Sequence, residues 1–379
     1  EQDGVHMNRI INFLKRETIF CVSFFLAFLS SLMIRPDSAY LAYPDYRTLA
    51  LLFCLMIIVA GFQSLGVFSF LGQSLLKKAK SLRKLSMIMV LLCFFCSMII
   101  TNDVTLITFV PFTILVFRMI KREDRILMIV ILETIAANLG SMATPIGNPQ
   151  NLYLYSAADI TMKQFFQAVF PYAGLALAML IAVLLIGRDE PLEKDVLKGQ
   201  TKIKFDSLFP AMLPYLLLLG LCLLVVFRIF SYGPVFLCVT VVVFLVNWRL
   251  FRSVDYFLLL TFLCFFVFIG NIKRIPEISS LLVSLVQGKE LWAGILVSQV
   301  ISNVPAAILL SGFTRNFSTL LTAVNLGGLG TLIASLASLI SFKFYAKEYP
   351  RRKGAFLKNF TLWNLAFLFI LTGAAYILG

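Results

Sequence analysis

VSQVISNVPAAILLSG, at residues 297–312, is apolar enough to lie within a lipid bilayer, yet the polar pair Ser302-Asn303 and then Pro305 interrupt its centre. Proline in a helix interior removes a backbone hydrogen bond, so one plain helix through this stretch is disfavoured. A second stretch, CSMIITNDVTLITFVPF at residues 96–112, places the polar tripeptide Thr101-Asn102-Asp103 between apolar flanks in the same way. The two stretches therefore indicate one structural device that is used twice.

The composition defines the broad class of protein. Hydrophobic residues make up 60% of the chain, the mean hydropathy is +0.92, and apolar runs of about 20 residues recur along its whole length. These features predict a polytopic α-helical membrane protein, with the lipid bilayer as its partner. The net charge of +14 comes from basic residues in short segments between the apolar runs. Such residues set membrane orientation, so we expect no nucleic-acid partner.

Cysteine and histidine chemistry contribute little here. The seven cysteines all fall within apolar runs, where they are expected to be small buried hydrophobes. His6 is the only histidine, and residues 1–6 are interpreted as an expression remnant ahead of Met7. No nucleophile–base pair is visible, so we expect no catalytic residue, no enzyme activity and no cofactor. Sodium is the one metal ion whose binding the sequence does not exclude.

The basic loops predict sidedness by the positive-inside rule. Arg9, Lys15 and Arg16 place the amino terminus in the cytoplasm of a bacterial-type inner membrane. KKAKSLRK at 77–84 and RMIKREDR at 118–125 are then both cytoplasmic, so the apolar stretch between them begins and ends on the same side. That stretch has two legs of about 16 residues, which fits either two short spans or a re-entrant hairpin.

The last basic loop, KFYAKEYPRRK at 343–353, decides whether the stretch with the second polar interruption crosses the membrane or returns to the side it entered from. This loop is cytoplasmic only if residues 291–313 enter from outside and return to the same side. Asn303 and Pro305 then mark the turn of a re-entrant hairpin. Backbone that leaves the helix at that depth must line a cavity or be buried in protein.

An internal repeat follows from two alignments. ITNDVTLITFVPF (100–112) resembles ISNVPAAILLSGF (301–313), and NLGSMATPIGN (138–148) resembles NLGGLGTLIAS (325–335). Because one hairpin opens inward and the other outward, the two units are predicted to be inverted. The predicted fold class is an all-α polytopic membrane protein with two inverted repeats, each containing a re-entrant helical hairpin and a broken transmembrane helix.

The predicted units have the following bounds. They are an N-terminal span in 7–47, repeat 1 in 48–187 (hairpin 85–117, broken helix 126–158), a cytoplasmic loop and linking spans in 188–253, and repeat 2 in 254–379 (hairpin 290–315, broken helix 318–341).

TNDVTLITFVPF, ATPIGNPQN (143–151) and SQVISNVPAAILL (298–310) together resemble the ion transporter superfamily. That superfamily includes divalent-anion/sodium symporters, citrate transporters, arsenite efflux pumps and NhaD-type sodium/proton antiporters, and among its branches the chain most resembles the YbiR-type anion permeases. The resemblance covers nearly all of the chain from about residue 15. It implies a homodimer in which a transport domain moves against a scaffold as an elevator.

The resemblance also implies the site residues. The hairpin tips of the anion/sodium symporters carry Ser-Asn-Thr, and the broken helices supply backbone carbonyls. Neither tip here keeps the Thr, whereas Asn102-Asp103 resembles the arsenite pumps and proton-linked antiporters. The implied substrate-binding residues are Asn102, Thr144, Pro145, Asn148, Ser302, Asn303, Thr331 and Ser335. The implied coupling-ion residues are Thr101, Asn102, Asp103, Glu133, Asn138, Gly147, Asn303, Asn325 and Gly327.

Two carboxylates stand out without any resemblance, because an unpaired charge at membrane depth is expensive and is functional by default. Asp103 is predicted to bind or carry the coupling ion, and the alternative is a cap for the second leg of its hairpin. Glu133 is predicted either to share this role or to make a structural hydrogen bond to the hairpin. Lys273 and Arg274, after the span at 254–272, either attract anions or snorkel to the membrane interface.

The predicted function is secondary active transport of a small anion coupled to sodium or protons. No arginine or lysine lies deep in a core segment, so the predicted substrate is small or weakly charged. The alternatives are a sodium/proton antiporter, an arsenite-type efflux permease, and a channel with the hairpins as its filter.

Overall fold

The computed structural model describes residues 17–76, 79–158, 160–186, 189–192 and 205–378, and these residues fold into helices joined by short connections. Eight of the helices in these ranges are long and apolar enough to cross a membrane. The prediction of an all-helical, multi-pass membrane protein is therefore confirmed. The expectations for residues 1–6, Arg9, Lys15, Arg16 and most of the loop 188–204 lie outside the described residues.

The described residues up to 186 contain eight α-helices. They are α1 (Thr18–Met33), α2 (Tyr46–Ser64), α3 (Val67–Leu76), α4 (Leu82–Ile100), α5 (Asn102–Met119), α6 (Ile126–Ser141), α7 (Pro149–Ala157) and α8 (Met162–Ile186). The described residues from 205 onward contain nine α-helices. They are α9 (Phe205–Val226), α10 (Tyr232–Asn247), α11 (Tyr256–Lys273), α12 (Pro276–Val286), α13 (Glu290–Ile301), α14 (Asn303–Ser311), α15 (Phe317–Leu326), α16 (Leu336–Glu348) and α17 (Lys353–Leu378).

Several helices begin at a side-chain cap that the sequence supplies. Oδ1 of Asp45 accepts the backbone N–H of Thr48 at 3.1 Å, and Oδ1 of Asp255 accepts that of Leu258 at 2.9 Å. Such caps satisfy backbone donors that a helix start leaves free. They separate long apolar runs into distinct helices, since the apolar residues themselves carry no strong start signal.

Contacts among charged side chains define one end of the molecule, here called the basic end. Arg118 Nη1 lies 2.6 Å from Glu348 Oε2, which joins the end of α5 to the end of α16. Arg122 forms an ion pair and hydrogen bond with Glu190, which lowers the pKa of that carboxyl. The backbone oxygen of Glu190 accepts the N–H of Leu82 at 2.8 Å, so the start of α4 is at this end too.

The opposite end, here called the far end, is joined by a separate set of contacts. Arg274 Nη2 lies 2.7 Å from Asp37 Oδ2, and Arg47 donates to the backbone oxygen of Val225 at 2.7 Å. One cavity at this end is lined by residues of α2, α11 and the end of α14. Hairpin α4–α5 therefore opens at the basic end and hairpin α13–α14 at the far end. This supports opposite orientations of the two halves, and the inverted relation between them stays a prediction.

The described helices follow the predicted hairpins and broken helices with differences at the ends. The first hairpin occupies 82–119 and not 85–117, so its legs are as long as full spans. The second broken helix continues to Glu348 and not 341, because FKFYAKE carries no helix breaker. The sequence reading missed α3 and α12, two short amphipathic helices that precede the hairpins, and α12 is bent by 108° from α13.

The interior of the fold is built around α6. This helix is buried almost throughout, since it packs against α4 and α5 on one side and against α8, α16 and α17 on others. By contrast, α9 and α10 expose many large apolar side chains, as lipid-facing helices do. The broken ends of α6 and α15 consequently lie deep inside the protein.

Candidate functional site

The two hairpin tips share one unusual backbone conformation. Thr101 has φ 69° and ψ 154°, and Ser302 has φ 76° and ψ 154°. Residues with a Cβ rarely adopt a positive φ, and holding one there costs about 1–3 kcal/mol. Each strained residue is followed directly by an asparagine that starts a helix, Asn102 or Asn303. The tips therefore match residue for residue, as the alignment predicted.

Each broken helix packs a glycine against the first leg of its own hairpin. A Cβ at Gly140 would overlap the backbone oxygen of Phe94 and lie 2.7 Å from Oγ of Ser97. A Cβ at Gly327 would lie 2.7 Å from Oγ of Ser298. Ser97 and Ser298 occupy the same position relative to their tips. Only glycine allows this close approach in either half.

A threonine in each break also contacts the first leg of its hairpin. The hydroxyl of Thr144 donates to the backbone oxygen of Met98, and that of Thr331 donates to the backbone oxygen of Gln299 at 3.4 Å. Met98 and Gln299 again occupy equivalent positions. Thr144 is half-buried but Thr331 is exposed, so the two threonines differ in their access to solvent.

The two broken helices meet through a reciprocal exchange of hydrogen bonds. Oγ of Ser335 donates to Oδ1 of Asn138 at 2.9 Å, and Nδ2 of Asn148 donates to Oδ1 of Asn325 at 3.1 Å. In each bond, the asparagine before the break in one half contacts the residue that starts the second half-helix of the other. Nδ2 of Asn102 also donates to Oδ1 of Asn138, at 3.0 Å. The five residues Asn102, Asn138, Asn148, Asn325 and Ser335 are here called the crossing.

The crossing is closed to solvent. Its five side chains are between 1% and 5% exposed. It contains amides and a hydroxyl but no charged group. These side chains are therefore shielded from water in the described conformation.

The second tip is held to the break of its own half. The backbone N–H of Asn303 donates to the backbone oxygen of Ala334 at 2.9 Å, and Oγ of Ser302 donates to the same oxygen at 3.4 Å. Nδ2 of Asn303 lies 2.8 Å from where a Cβ at Gly328 would stand. The first tip reaches the crossing through its asparagine side chain instead.

The predicted break residues Pro145 and Gly147 shape the turn between α6 and α7. A Cβ at Gly147 would overlap the backbone oxygen of Ser141, so only glycine fits. The turn ends at Asn148, whose Oδ1 caps α7 by accepting the N–H of Asn151 at 2.9 Å.

The two predicted carboxylates lie in different places. Asp103 is half-buried at the first tip, and its backbone N–H donates to Oδ1 of Asn102 at 3.0 Å. Among the described residues, nothing donates to or pairs with the carboxylate of Asp103. It therefore does not serve as the cap that was the alternative interpretation.

Glu133 is fully buried and lies about 7.5 Å along α6 from Asn138 of the crossing. The hydroxyl of Thr113 donates to its Oε1, while its Oε2 has no hydrogen-bond partner within the described residues. Thr113 is about 16 Å along α5 from Asn102. The structural hydrogen bond to the hairpin, one of the two alternatives for Glu133, is thus present.

Two residues that the sequence analysis did not select satisfy the backbone of the breaks. Nδ2 of Asn151 donates to the backbone oxygens of Ser141, Met142 and Thr144 at 3.0–3.3 Å. In the other half, Nε2 of Gln299 donates to the backbone oxygens of Gly327 and Leu329, both at 2.9 Å, and its Oε1 accepts the N–H of Thr331. In the sequence, the signal for both residues was a single amide side chain close to a tip or a break in an apolar run.

Replacing Gln299 with methionine, the residue type at Met98, is expected to destabilise the protein. The carbonyls and the N–H that Gln299 satisfies would lose their partner, at a total cost of about 2 kcal/mol. The melting temperature of detergent-purified protein measures this effect. Exposed Gln167 provides the control, and equal melting temperatures for Gln299→Met and Gln167→Met would contradict the assigned role.

The electrostatics of the crossing come from helix ends and neutral dipoles. Each tip and each break is followed by the N-terminus of a helix, namely that of α5, α7, α14 or α16. Each helix N-terminus carries about half a positive charge and free N–H groups, which suit an anion. Amide, hydroxyl and backbone oxygens nearby, such as that of Ala334, are ligands that suit sodium.

Residues 10–318 match the model of the citrate transporter family, CitMHS. The chain belongs to the citrate transporter family. This family member is therefore a membrane transporter and not an enzyme, and the predicted membership of the ion transporter superfamily is confirmed.

Individual relatives of this citrate transporter family member are also named as membrane proteins or transporters. It is 33% identical over 301 residues to the uncharacterized transporter MJ0456 of Methanocaldococcus jannaschii, covering 79% of this chain and 81% of the relative. It is 32% identical over 310 residues to the inner membrane protein YbiR of Escherichia coli, covering 79% and 80%. It is 28% identical over 159 residues to the silicon efflux transporter LSI3 of rice, covering 41% and 32%.

Proposed function

We propose that this chain is a secondary active transporter that moves a small anion of low charge, coupled to sodium or protons, and that the crossing holds the substrate. The observation that carries this proposal is the meeting of two broken helices through Asn138–Ser335 and Asn148–Asn325. Discontinuous helices that meet at membrane depth form the substrate and ion sites of many secondary transporters.

The charge of the substrate is argued from the groups at the crossing. The helix N-termini and the amides of Asn102 and Asn148 can stabilise one negative charge. No lysine or arginine belongs to the crossing, so three carboxylates of a citrate ion would lack counter-charges there. Although the family is named for citrate, a singly charged or protonated oxyacid suits these groups better. The rice relative, by its name, exports silicon.

The coupling ion is assigned to the first tip. Oδ1 of Asn102 accepts the backbone N–H of Asp103, and among the described residues nothing engages the Asp103 carboxylate, which can then bind sodium or a proton. Oδ1 of Asn102 and backbone oxygens of the breaks can add oxygen ligands for sodium. Glu133, whose Oε2 has no hydrogen-bond partner within the described residues, is a second group that can bind a proton inside the membrane.

The proposed mechanism is elevator-type alternating access. The hairpins and broken helices form one packed unit around α6, and this unit moves relative to a scaffold that includes α2, α9 and α10. The apolar side chains exposed on α9 and α10 face lipid or a second subunit, as in a homodimer. The basic end faces the cytoplasm of a bacterial-type inner membrane.

A sodium/proton antiporter is the second candidate. It is favoured by the two carboxylates, Asp103 and Glu133, since neither has a cationic partner among the described residues. In that case sodium and protons would exchange at these groups and no anion would bind. An arsenite-type efflux permease is a variant of the first proposal with a specific oxyacid as substrate.

Ligand-dependent melting of the purified protein tests the proposal. The probes are bicarbonate, phosphate, arsenite, silicic acid and citrate, each with sodium or choline as the cation and at pH 6 and pH 8. A ligand at 100 times its Kd adds about 2.7 kcal/mol to the stability of the folded state. We expect one small oxyacid to raise the melting temperature by several degrees in a sodium- or pH-dependent way.

The variants Ser335→Ala and Asn359→Ala connect this shift to the crossing. Ser335→Ala removes one hydroxyl of the crossing and is expected to abolish or weaken the shift. Asn359 is half-buried on α17, where its amide donates to the backbone oxygen of Ala355, and its replacement should preserve the shift. Stabilisation by sodium or lithium without any anion would replace the anion proposal with the antiporter. Stabilisation by citrate alone would show that the proposed charge limit is wrong.

A further inference from the structure

A cavity of about 660 Å³ at the far end lies outside the crossing. Its walls come from the start of α2, the end of α7, the end of α11 and the end of α14. The polar and charged side chains in its lining are Tyr43, Asp45, Arg47, Tyr153, Ser156, Lys273 and Ser311. This region is here called the far-end cavity.

The charges in the far-end cavity favour an anion. Asp45 is its one carboxylate, and its oxygens already accept Oγ1 of Thr48 at 2.6 Å and the N–H of Thr48 at 3.1 Å. Arg47 uses Nη2 for the backbone oxygen of Val225, which leaves the rest of its guanidinium available. Lys273 makes no ion pair with any described residue. Two cations thus face one carboxylate whose oxygens are already engaged.

The contrast between Lys273 and its neighbour Arg274 supports this interpretation. Arg274 donates to Asp37 at 2.7 Å and to Tyr43 at 3.1 Å, so its charge is compensated outside the cavity. Lys273 instead extends along α14, with its Cε 3.2 Å from where a Cβ at Gly312 would stand. Cγ2 of Ile269 lies 2.7 Å from the same point, so both Ile269 and Lys273 of α11 pack against the end of α14.

The floor of the far-end cavity leads toward the crossing. Tyr153 and Ser311 share a hydrogen bond of 2.8 Å between α7 and α14. Tyr153 is about 7.5 Å along α7 from Asn148, and Ser311 is about 12 Å along α14 from Asn303. The cavity therefore lies between the far-end solution and the crossing, above a contact that joins a broken helix to a hairpin.

We propose that the far-end cavity is a second anion site, a vestibule that binds a small oxyanion between Lys273 and the hydroxyl of Ser156. The hydroxyls of Tyr153 and Ser311 donate to Ser311 and to the backbone oxygen of Ile308, so they form the floor of the site. The ligands are thus an ammonium group and a hydroxyl donor, which together stabilise a carboxylate-like or other oxyanion. Its role in transport rests on the proposed function, because it would supply the crossing with the same class of substrate. Its anion preference is a property of the cavity and can be measured without transport.

Thiol modification at the cavity wall tests the proposal directly. Ser156→Cys is reacted with 2-sulfonatoethyl methanethiosulfonate, an anion, and with 2-(trimethylammonio)ethyl methanethiosulfonate, a cation, and intact mass reports each rate. The parent chain gives the background from its own seven cysteines. The ratio of the two rates cancels the accessibility and ionisation of the thiol. It therefore reports the sign of the local potential.

We expect the anionic reagent to be favoured, and Lys273→Gln to lower the anion-to-cation ratio by about fivefold or more, since one charge in the lining of the same cavity is removed. Lys163→Gln is the matched control, because Lys163 is exposed and does not line the cavity. Screening should limit its effect on the ratio to less than about twofold.

Three outcomes would overturn the proposal. They are a ratio that Lys273→Gln leaves unchanged, a parent ratio that favours the cation, and the absence of reaction at both Ser156→Cys and the exposed neighbour Ala157→Cys. If thiol labelling contradicts the cavity site but an oxyacid raises the melting temperature, the crossing is left as the only proposed anion site. If labelling supports the cavity site but no oxyacid raises the melting temperature, the vestibule stands as an anion site and the proposed transport substrate does not.

Discussion

Replacing Asp103 with asparagine is expected to abolish ion-coupled transport while leaving the protein folded. Asparagine keeps the size of the side chain but can neither release a proton nor offer a negative charge to sodium. The carboxylate has no hydrogen-bond or ion-pair partner among the described residues, so its removal breaks no structural contact. Gradient-driven uptake into proteoliposomes should fall by about 100-fold, which corresponds to about 2.7 kcal/mol.

The control for this variant is Asp124→Asn at the basic end, where Asp124 is exposed and pairs with Arg122. That variant removes a carboxylate of the same type outside the transport path and should retain uptake. Melting temperatures of both variants should stay close to that of the parent protein. If Asp103→Asn still accumulates substrate against a gradient, Asp103 does not couple transport, and Glu133 becomes the group to replace next.

Replacing Gly140 with alanine is expected to cause the largest loss of stability. The new Cβ would overlap the backbone oxygen of Phe94, and a backbone atom of a packed helix cannot turn aside as a side chain can. Overpacking of this kind costs about 1–3 kcal/mol or more, and here it would separate α6 from the hairpin leg α4. The amount of monodisperse protein after membrane extraction and its melting temperature should both fall sharply.

Two further variants make this result specific. Gly174→Ala is the matched control, since no atom lies within 4 Å of the added Cβ and alanine favours the helix. Gly327→Ala meets the side chain of Ser298, so Ser298→Gly should partly restore it. Ser97→Gly should not restore Gly140→Ala, because the oxygen of Phe94 remains. An unchanged melting temperature for Gly140→Ala would mean that α4 and α6 pack less closely than described.

The fold was predictable from the sequence where the membrane imposes its own rules. A spanning helix needs about 20 apolar residues, and charged loops stay outside the bilayer, so helix positions and polar interruptions are visible locally. The strained tips at Thr101 and Ser302 were visible for the same reason, because each is followed by an asparagine inside an apolar run. The paired glycines Gly140 and Gly327 followed from the internal alignment. By contrast, α3 and α12 were missed. Residues of α3 directly follow the apolar run of α2 and were joined to it, and α12 is too short to span a membrane.

The sequence by itself thus determined the class of protein, the positions of the two polar interruptions and the two breaks, and the five residues that meet in the crossing. Only the tertiary structure decided which of these residues touch. The exchange of Asn138 with Ser335 and of Asn325 with Asn148 joins residues almost 200 positions apart. The same applies to the hydrogen bond from Thr113 to Glu133, and to Arg274 forming an ion pair with Asp37 while Lys273 forms none with the described residues. Apolar patterns act over a few helical turns, whereas these partners are chosen by how whole helices pack against one another.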